Sequence, residues 1–319
     1  MSGHVVALCG GVGGAKLAFG LTKVLPPERL SIVINTGDDF EHLGLHVSPD
    51  IDTVVYTLAD LSDRERGWGL AGETWNFMTA LKRLGGEGWF NLGDHDLAMH
   101  VERTRRLRAG QSLSAVTAAL AAALGLAETL IPVSDDPLRT HVQTEAGVEL
   151  GFQEYFVRER CAPAVRAIRF EGAARASPSP GLADLLRRTD ISAVIVCPSN
   201  PYLSIDPILA VPGVREGLKR LGAPVVAVSP IVGGEALKGP AAKLMRELGA
   251  QPGSAAVAAH YGGLLDGLII DQVDAADAEA LRGQGVQPLV TGTVMQTDDD
   301  RIRLAGEALD FAQRLKTAA

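Results

Sequence analysis

The sequence has little cysteine and no long apolar run. Its cysteines are Cys9, Cys161 and Cys197, which lie far apart without a Cys-x-x-Cys spacing. This pattern excludes a disulfide framework and a cysteine-based zinc site. No apolar stretch approaches the length that spans a bilayer, and the N-terminus has no basic segment ahead of an apolar one. We therefore expect a cytoplasmic protein that does not use a membrane.

Positive charge is also scarce, because the formal net charge is -8 at pH 7. Nucleic-acid binding needs clustered Lys and Arg, so a broad nucleic-acid surface is excluded. The one basic cluster, RTRRLRAG at residues 103–110, lies in a helical pattern, and we expect a solvated helix face or a local anion site there. The 319 residues, 46% of them hydrophobic, are enough for a large core.

Short runs rich in Val and Ile alternate with helical patterns along the chain. They span residues 4–10, 30–36, 128–134, 192–199, 224–230 and 267–271. Near-continuous apolar strands between helices predict an α/β fold with a doubly wound, mainly parallel sheet that is covered on both faces. Ligands bind such sheets at the carboxyl ends of the strands, so the polar residues that follow these runs should share one rim.

The alternation breaks between the second and third runs. Residues 62–127 hold three helical patterns without a clear strand between them. We expect this segment to be a helical insertion or cap over the cleft, on an α/β core of residues 1–61 and 128–319.

A glycine-rich turn, GGVGGAK at residues 10–16, follows the first run. The third glycine of a dinucleotide fingerprint is replaced by Lys16, and no Ser or Thr follows that lysine as a Walker motif requires. An NAD-dependent oxidoreductase is therefore disfavoured. Glycines before a helix suit an anion at the helix N-terminus, but a tight turn without a ligand fits the same pattern.

Carboxylates are the second polar feature of the predicted rim. Asp38, Asp39, Asp50 and Asp52 follow the second run, and magnesium prefers such oxygen ligands. Each aspartate could instead cap a helix or a turn, and SDDP at residues 134–137 has the same ambiguity. The histidines are expected to be loop or core residues rather than a second metal site. No Gly-x-Ser-x-Gly nucleophile motif is present.

Nine ordered segments resemble the 2-phospho-L-lactate transferases of deazaflavin coenzyme biosynthesis. They are GGVGGAK, NTGDDFEHLGLHVSPDIDT, ERGWGLAGETW, LGDHDLAMH, PVSDDPLRTHVQT, FQEYFV, PSNPYLSIDPIL, VPGVRE and VAVSPIVGG. The resemblance implies a Rossmann-like fold and a magnesium-dependent enzyme. It also implies transfer of a phosphorylated three-carbon acid from its guanosine diphosphate ester to the ribityl hydroxyl of a deazariboflavin, with release of GMP, in the biosynthesis of coenzyme F420.

The resemblance also assigns candidate site residues. Asp38 and Asp39 are the predicted metal ligands, and Asp52 and Asn91 match positions associated with the deazaflavin. The remaining predicted substrate contacts are Gly11, Gly13, Gly14, Lys16, Ser134, Asp135, Ser199, Asn200, Gly233 and Gly234. Asp38 is expected to be essential for catalysis, and Asp50 or Asp52 is the candidate proton acceptor.

Several alternatives stay open from the sequence. Related sequences include nucleotide-sugar-binding regulators of cell-wall precursor metabolism, so such a regulator is the alternative function predicted for this chain. The donor acid is 2-phospholactyl, phosphoenolpyruvyl or phosphoglyceryl, and a homodimer is expected. A side chain at Gly13 is expected to clash with the donor and to penalise a positive φ, so that a Val there would weaken donor binding alone.

Overall fold

The computed structural model describes residues 3–318. Its strands, in chain order, are β1 (His4–Cys9), β2 (Leu30–Ile34), β3 (Phe40–His42), β4 (Leu45–Val47), β5 (Thr129–Pro132), β6 (Arg139–Thr144), β7 (Glu149–Gly151), β8 (Val165–Glu171), β9 (Ile191–Val196), β10 (Val225–Val228), β11 (Ile231–Val232), β12 (Glu235–Ala236), β13 (Gly267–Asp271) and β14 (Gln287–Thr291). Its α-helices are α1 (Gly11–Val24), α2 (Pro49–Leu58), α3 (Asn76–Arg83), α4 (Asp94–Arg108), α5 (Leu113–Ala123), α6 (Pro180–Leu185), α7 (Asp206–Leu209), α8 (Val214–Arg220), α9 (Ala241–Glu247), α10 (Ser254–His260), α11 (Ala278–Gly283) and α12 (Asp298–Ala318). Two π-helical turns, Glu154–Arg158 and Pro201–Ile205, lie between these elements.

Seven parallel strands form the central sheet in the order β14-β13-β10-β9-β1-β2-β5. All six predicted runs lie in this sheet, which confirms the α/β class and the parallel arrangement. The seventh strand, β14, was not predicted, because its residues are only half buried at the sheet edge and do not form a continuous apolar run.

The strand order places a switch point between β1 and β9. From β1 the chain first builds outward through β2 and β5, and it then returns to add β9, β10, β13 and β14 on the other side. The loops after β1 and β9 therefore diverge and leave a crevice at the carboxyl ends of these strands, as in Rossmann folds.

Helices cover both faces of the sheet, and β1 shows how its residues divide between them. Val5, Ala7 and Cys9 pack with α1, α2 and α12, whereas Val6 and Leu8 pack with α6, α8 and α10 on the other face. This alternation follows from the two-residue period of a strand. Among the described residues no helix combines the length and the apolar composition needed to cross a membrane.

The segment of residues 62–127 does contain the three expected helices, but they differ in where they pack. Helix α5 packs on β5, with Val116 fully buried, and so belongs to the layer over the sheet. Helix α3 is largely exposed and buries only Met78. The loops around α3 and the first turns of α4 reach the crevice.

A second, antiparallel sheet of order β7-β6-β8 was not predicted from the sequence. Strand β6 alternates buried and half-buried residues, and a few short segments of this kind give only a weak signal. The small core beneath it, which includes Val142 and Tyr155, supports the turn at residues 152–158 beside the crevice.

Candidate active site

A cleft with a volume of about 960 Å³ opens at the switch point. It lies at the carboxyl ends of β1, β9 and β10, and residues of α2, α4 and the loop before α3 also line it. The predicted site residues that line it are Gly11, Gly13, Lys16, Asp38, Asp50, Asp52, Asn91, Ser199 and Asn200. The predicted site residues outside its lining are Gly14, Asp39, Ser134, Asp135, Gly233 and Gly234.

The glycine turn joins the loops after β1 and β9. Gly11 has a φ of +65°, which favours glycine, and its N–H donates to Asp50 Oδ1 at 2.6 Å. A Cβ atom on Gly13 would overlap the carbonyl oxygen of Pro198, and a Cβ on Gly14 would overlap Ser199 Oγ. The expectation of a positive φ at Gly13 is therefore wrong, and an added Cβ would meet the backbone of Pro198. Contact of Gly13 with the donor stays a prediction, since this residue lines the cleft.

Two buried carboxylates share one amide donor in the middle of the cleft. Asn35 Nδ2 donates to Asp38 Oδ1 at 3.1 Å and to Asp50 Oδ2 at 2.9 Å. Burial raises the pKa of Asp38 well above its usual range, and the charges of Asp50 and Asp39 add to this effect. Burial likewise raises the pKa of Asp50 to about 6, although the hydrogen bonds from Asn35 and Gly11 oppose the shift. Burial therefore disfavours the ionised form of both carboxyl groups, and a bound cation would favour it.

Asp39, the second predicted metal ligand, lies behind Asp38 rather than in the cleft. Its Oδ2 accepts hydrogen bonds from His46 Nε2 at 3.0 Å and from Ser48 Oγ at 2.9 Å. These contacts hold the β3–β4 hairpin against the start of α2. Asp38 and Asp50 both line the cleft, whereas Asp39 does not. Asp50 rather than Asp39 is therefore the carboxylate that shares the cleft with Asp38.

A buried ionic network underlies the wall of the cleft next to Asp52. Both carboxylate oxygens of Asp52 accept hydrogen bonds from Arg103, which is only 1% exposed. Arg103 Nη1 also lies 3.2 Å from His100 Nδ1, so the lone pair on this nitrogen faces a permanent donor. A neutral His100 therefore carries its proton on Nε2, which points towards Asp96 Oδ2 at 3.4 Å. Burial raises the pKa of Asp52, and Arg103 opposes this shift.

The opposite side of the cleft carries ammonium groups. Lys16, on α1, donates from Nζ to the backbone carbonyl of Met295 at 2.8 Å. Burial lowers the pKa of Lys16, and the positive charges of Arg301 and Lys238 lower it further. Lys238 lines the cleft from the loop between β12 and α9.

Apolar and aromatic side chains line the part of the cleft between the helical segment and the turn at residues 152–158. Phe152 and Phe156 stack with their ring centroids 5.4 Å apart, and Trp68 and Phe90 line the cleft from the helical segment. The exposed side chain of Asn91 lies next to Phe90. Flat, apolar ligand surface can be covered here.

The predicted residues outside the cleft have structural contacts instead. Ser134 Oγ donates to the carbonyl of Ser177 at 2.7 Å, and Asp135 accepts the N–H of Ser114 at the start of α5 at 2.7 Å. Gly233 and Gly234 form the turn of the β11–β12 hairpin with φ values of +60° and +78°. In these positions the sequence pattern reflects turn and cap geometry rather than contact with the cleft.

Comparisons with known proteins identify the family of this chain. The family model described as 2-phospho-L-lactate transferase CofD matches residues 5–303. The chain belongs to the CofD family. A phosphoenolpyruvate transferase from Streptomyces griseus is 42% identical over 98% of this chain and 99% of its own length. A 2-phospho-L-lactate transferase from Methanosarcina mazei is 37% identical over 94% of this chain and 98% of its own length.

A solved structure of a UPF0052-family protein from Bacillus halodurans shows the same fold. It matches with a TM-score of 0.63 at 15% identity, over 97% of this chain and 99% of that chain. Family membership confirms the resemblance drawn from the nine segments and identifies a transferase of coenzyme F420 biosynthesis.

Several cleft residues of this CofD-family chain were missed by the sequence reasoning. Asn35 begins the NTGDDF segment and Arg103 begins the basic cluster, yet neither was assigned a role. Asn35 orients Asp38 and Asp50, and Arg103 is buried against Asp52 rather than on a solvated helix face. His100 was expected to be a loop or core residue, and it is buried on α4, yet it also lines the cleft. Lys238 lies in a loop beyond the last long matching segment, where no pattern singled it out.

Proposed function

We propose that this CofD-family chain transfers a phosphorylated three-carbon acid from its guanosine diphosphate ester to the ribityl hydroxyl of a deazariboflavin, with release of GMP. The observation that carries the proposal is the division of one cleft into a buried carboxylate pair, an aromatic part and a side with ammonium groups. The carboxylate pair suits a metal ion, the aromatic part suits a flat ring, and the ammonium groups suit a diphosphate. The Streptomyces relatives at 42% identity are named for phosphoenolpyruvate, so the phosphoenolpyruvyl donor is tested first.

The carboxylate pair fits Mg²⁺. Asp38 and Asp50 offer hard oxygen ligands and are buried, and the hydrogen bonds that they accept from residues 3–318 come from neutral N–H groups, which do not cancel their charge. We propose that Asp38 and Asp50 hold the ion. Asp38 was also a metal ligand in the sequence-based prediction, and Asp50 takes the place of Asp39. Bound there, Mg²⁺ would neutralise charge on the nonbridging phosphoryl oxygens.

The chain itself contributes positioning and charge. In the transfer, the hydroxyl oxygen of the acceptor bonds to the phosphorus next to the acid, and the bond from that phosphorus to the bridging oxygen breaks. GMP leaves with the electron pair, and the hydroxyl proton is released. The first-turn N–H groups of α1 and Lys16 lie where they can neutralise the diphosphate, which is what such a transfer requires of a protein.

Asp52 is the weaker of the two candidate proton acceptors. Both of its carboxylate oxygens accept hydrogen bonds from Arg103, so neither is free to take a proton without breaking a buried ion pair. Asp52 is better suited to shape the acceptor side of the cleft. Asp50 stays a prediction for the proton acceptor, a role that requires a carboxylate oxygen not bound to the ion, because its two oxygens already accept hydrogen bonds from Gly11 and Asn35.

Assembly and location are also proposals. We propose a homodimer, the commonest form among soluble oligomers, and a cytoplasmic location, which the free thiols of Cys9, Cys161 and Cys197 suit. Light scattering during size-exclusion chromatography tests the dimer, and a mass of one chain would overturn it.

The reaction is tested by mass spectrometry. Deazariboflavin is incubated with the protein, Mg²⁺ and each guanylated three-carbon acid in turn, and the mass added to the acceptor identifies the group transferred. Release of GMP is measured in the same samples. No added mass with any donor would overturn the proposal, and binding of a nucleotide-sugar without transfer would support a regulator instead.

A further inference from the structure

Two ammonium groups in the cleft have no carboxylate partner. Lys16 Nζ bonds only to the carbonyl of Met295, and Lys238 forms no ion pair or hydrogen bond with any residue from 3 to 318. Lys238 Nζ lies against Gly67, since a Cβ on Gly67 would overlap it, so this side chain reaches across to the loop before α3. The other cleft cation from that loop, Arg66, pairs with Asp63 at 3.2 Å.

The chain segments that carry the free ammonium groups and the carboxylate pair leave the sheet on opposite sides of the switch point. Lys238 follows β10, and Met295, the partner of Lys16, follows β14. Asp38 follows β2, and Asp50 lies on α2, which also carries Asp52 on the proposed acceptor side. A ligand that spans the cleft therefore meets carboxylates at one end and uncompensated positive charge at the other.

We propose that Lys238, together with Lys16, binds the phosphate of the leaving GMP rather than the phosphate that is transferred. This inference rests on the proposed function. The phosphorus under attack must lie next to the acceptor hydroxyl, on the side of Asp38 and Asp52. The second phosphate of the donor then lies towards β10 and Lys238.

The chemistry of the transfer explains why a cation is needed there. When the bond between phosphorus and the bridging oxygen breaks, that oxygen keeps the electron pair and the leaving phosphate gains negative charge. An ammonium group at this phosphate stabilises the transition state more than the ground state, which raises the rate as well as the affinity. Lys238 is thus assigned to the leaving group, and Lys16 supports it from α1.

The test compares Lys238→Met with Lys238→Arg and with Lys219→Met. Lys219 is an exposed lysine on α8 outside the cleft, so its substitution makes the same change in net charge without touching the site. The probes are GDP, GMP and guanosine, with affinities measured by isothermal titration calorimetry. Circular dichroism checks that each variant is folded.

We expect Lys238→Met to weaken both GDP and GMP by roughly tenfold, with a reduced dependence on salt, and to leave guanosine and deazariboflavin binding unchanged. Lys238→Arg should restore most of the affinity, and Lys219→Met should bind as the wild type does. An effect on GDP but not on GMP would assign Lys238 to the transferred phosphate and overturn the inference. Unchanged GDP and GMP binding would overturn it as well. A wild-type protein that does not bind GDP at all would instead count against the proposed function.

Discussion

The charged side chains on the two sides of the switch point differ in their contacts with the rest of the protein. On the β2 side the carboxylates of Asp38, Asp50 and Asp52 are buried and tied to the protein by hydrogen bonds from Asn35, Gly11 and Arg103. On the β10 side Lys16 and Lys238 have no carboxylate partner within the described part of the chain, residues 3–318. Hydrogen bonds within the protein therefore orient the carboxylates without a ligand, whereas the ammonium groups are available to pair with a ligand.

This difference follows from what each side must bind. A small cation demands ligands at fixed positions, so its carboxylates need oriented support from the protein. A diphosphate is large and carries its own charge, so flexible lysine side chains with free ammonium groups can adapt to it. The carboxylate side should therefore be sensitive in stability as well as activity, and the lysine side mainly in ligand affinity.

The largest effect is expected from Asp38→Asn. Turnover should fall by at least about 100-fold, because the change removes a charged ligand of the proposed metal site. The metal-free variant should at the same time be more stable than the wild type near pH 7. The pKa of Asp38 is raised in the folded state, so its ionised form destabilises the fold above its usual pKa, and Asn removes that charge. Turnover in saturating Mg²⁺ and thermal unfolding in EDTA measure the two effects.

Activity near the wild-type level in Asp38→Asn would break the comparison, because the carboxylate side would then not be the metal site. Equal thermal stability of the two proteins in EDTA would show that the charge of Asp38 is relieved by something other than a bound cation.

The second effect concerns the counter-charge beneath the carboxylate side. Arg103→Met should lower the free energy of unfolding by about 3–5 kcal/mol, because it leaves Asp52 buried without its partner. The double variant Asp52→Asn, Arg103→Met should recover part of this loss, since no unpaired charge is then buried. Urea unfolding of the three variants measures the coupling, and additive losses would contradict a direct pairing.

Gly13→Ala tests the junction between the two sides. The new Cβ overlaps the carbonyl of Pro198, so we expect a loss of about 1–3 kcal/mol in stability and a parallel weakening of both ligands. Gly306→Ala is the control, because Gly306 lies in α12 with no atom within 4 Å of an added Cβ, and this change should be neutral or stabilising. Selective loss of donor affinity in a fully stable Gly13 variant would instead show that Gly13 contacts the donor.

The sequence could predict the parts of this molecule that depend on local pattern. Apolar runs predicted six of the seven strands of the sheet, and the position after β2 directed attention to Asp38, which lines the cleft. Pairings between distant residues had no local signal. Whether Asp39 or Asp50 faces Asp38 depends on how the β3–β4 hairpin turns, which His46 and Ser48 decide by binding Asp39. The partner of Asp52 lies 51 positions away on another helix.

The smallest effect comes from an aspartate whose environment is the reverse of Asp50. Asp94 is half-buried at the start of α4 and accepts hydrogen bonds from Thr74 Oγ1 and from the N–H groups of Asn76 and Phe77. The hydrogen bond from Thr74 is the largest cause that lowers the pKa of Asp94 to about 2, whereas burial raises the pKa of Asp50 to about 6. Because the folded-state pKa is lowered, Asp94 contributes stability above its unfolded pKa of about 3.9, and that contribution is lost as the pH falls towards 2.

Carboxyl NMR titration of the metal-free protein checks both values in one experiment. Asp94→Asn should remove a small stabilisation at neutral pH and leave thermal stability at pH 2 unchanged relative to the wild type. The variant should also keep GDP affinity, since Asp94 does not line the cleft. Equal titration midpoints for Asp50 and Asp94 would mean that burial does not distinguish the carboxylates of this protein, and the contrast between the two sides of the switch point would lose its electrostatic basis.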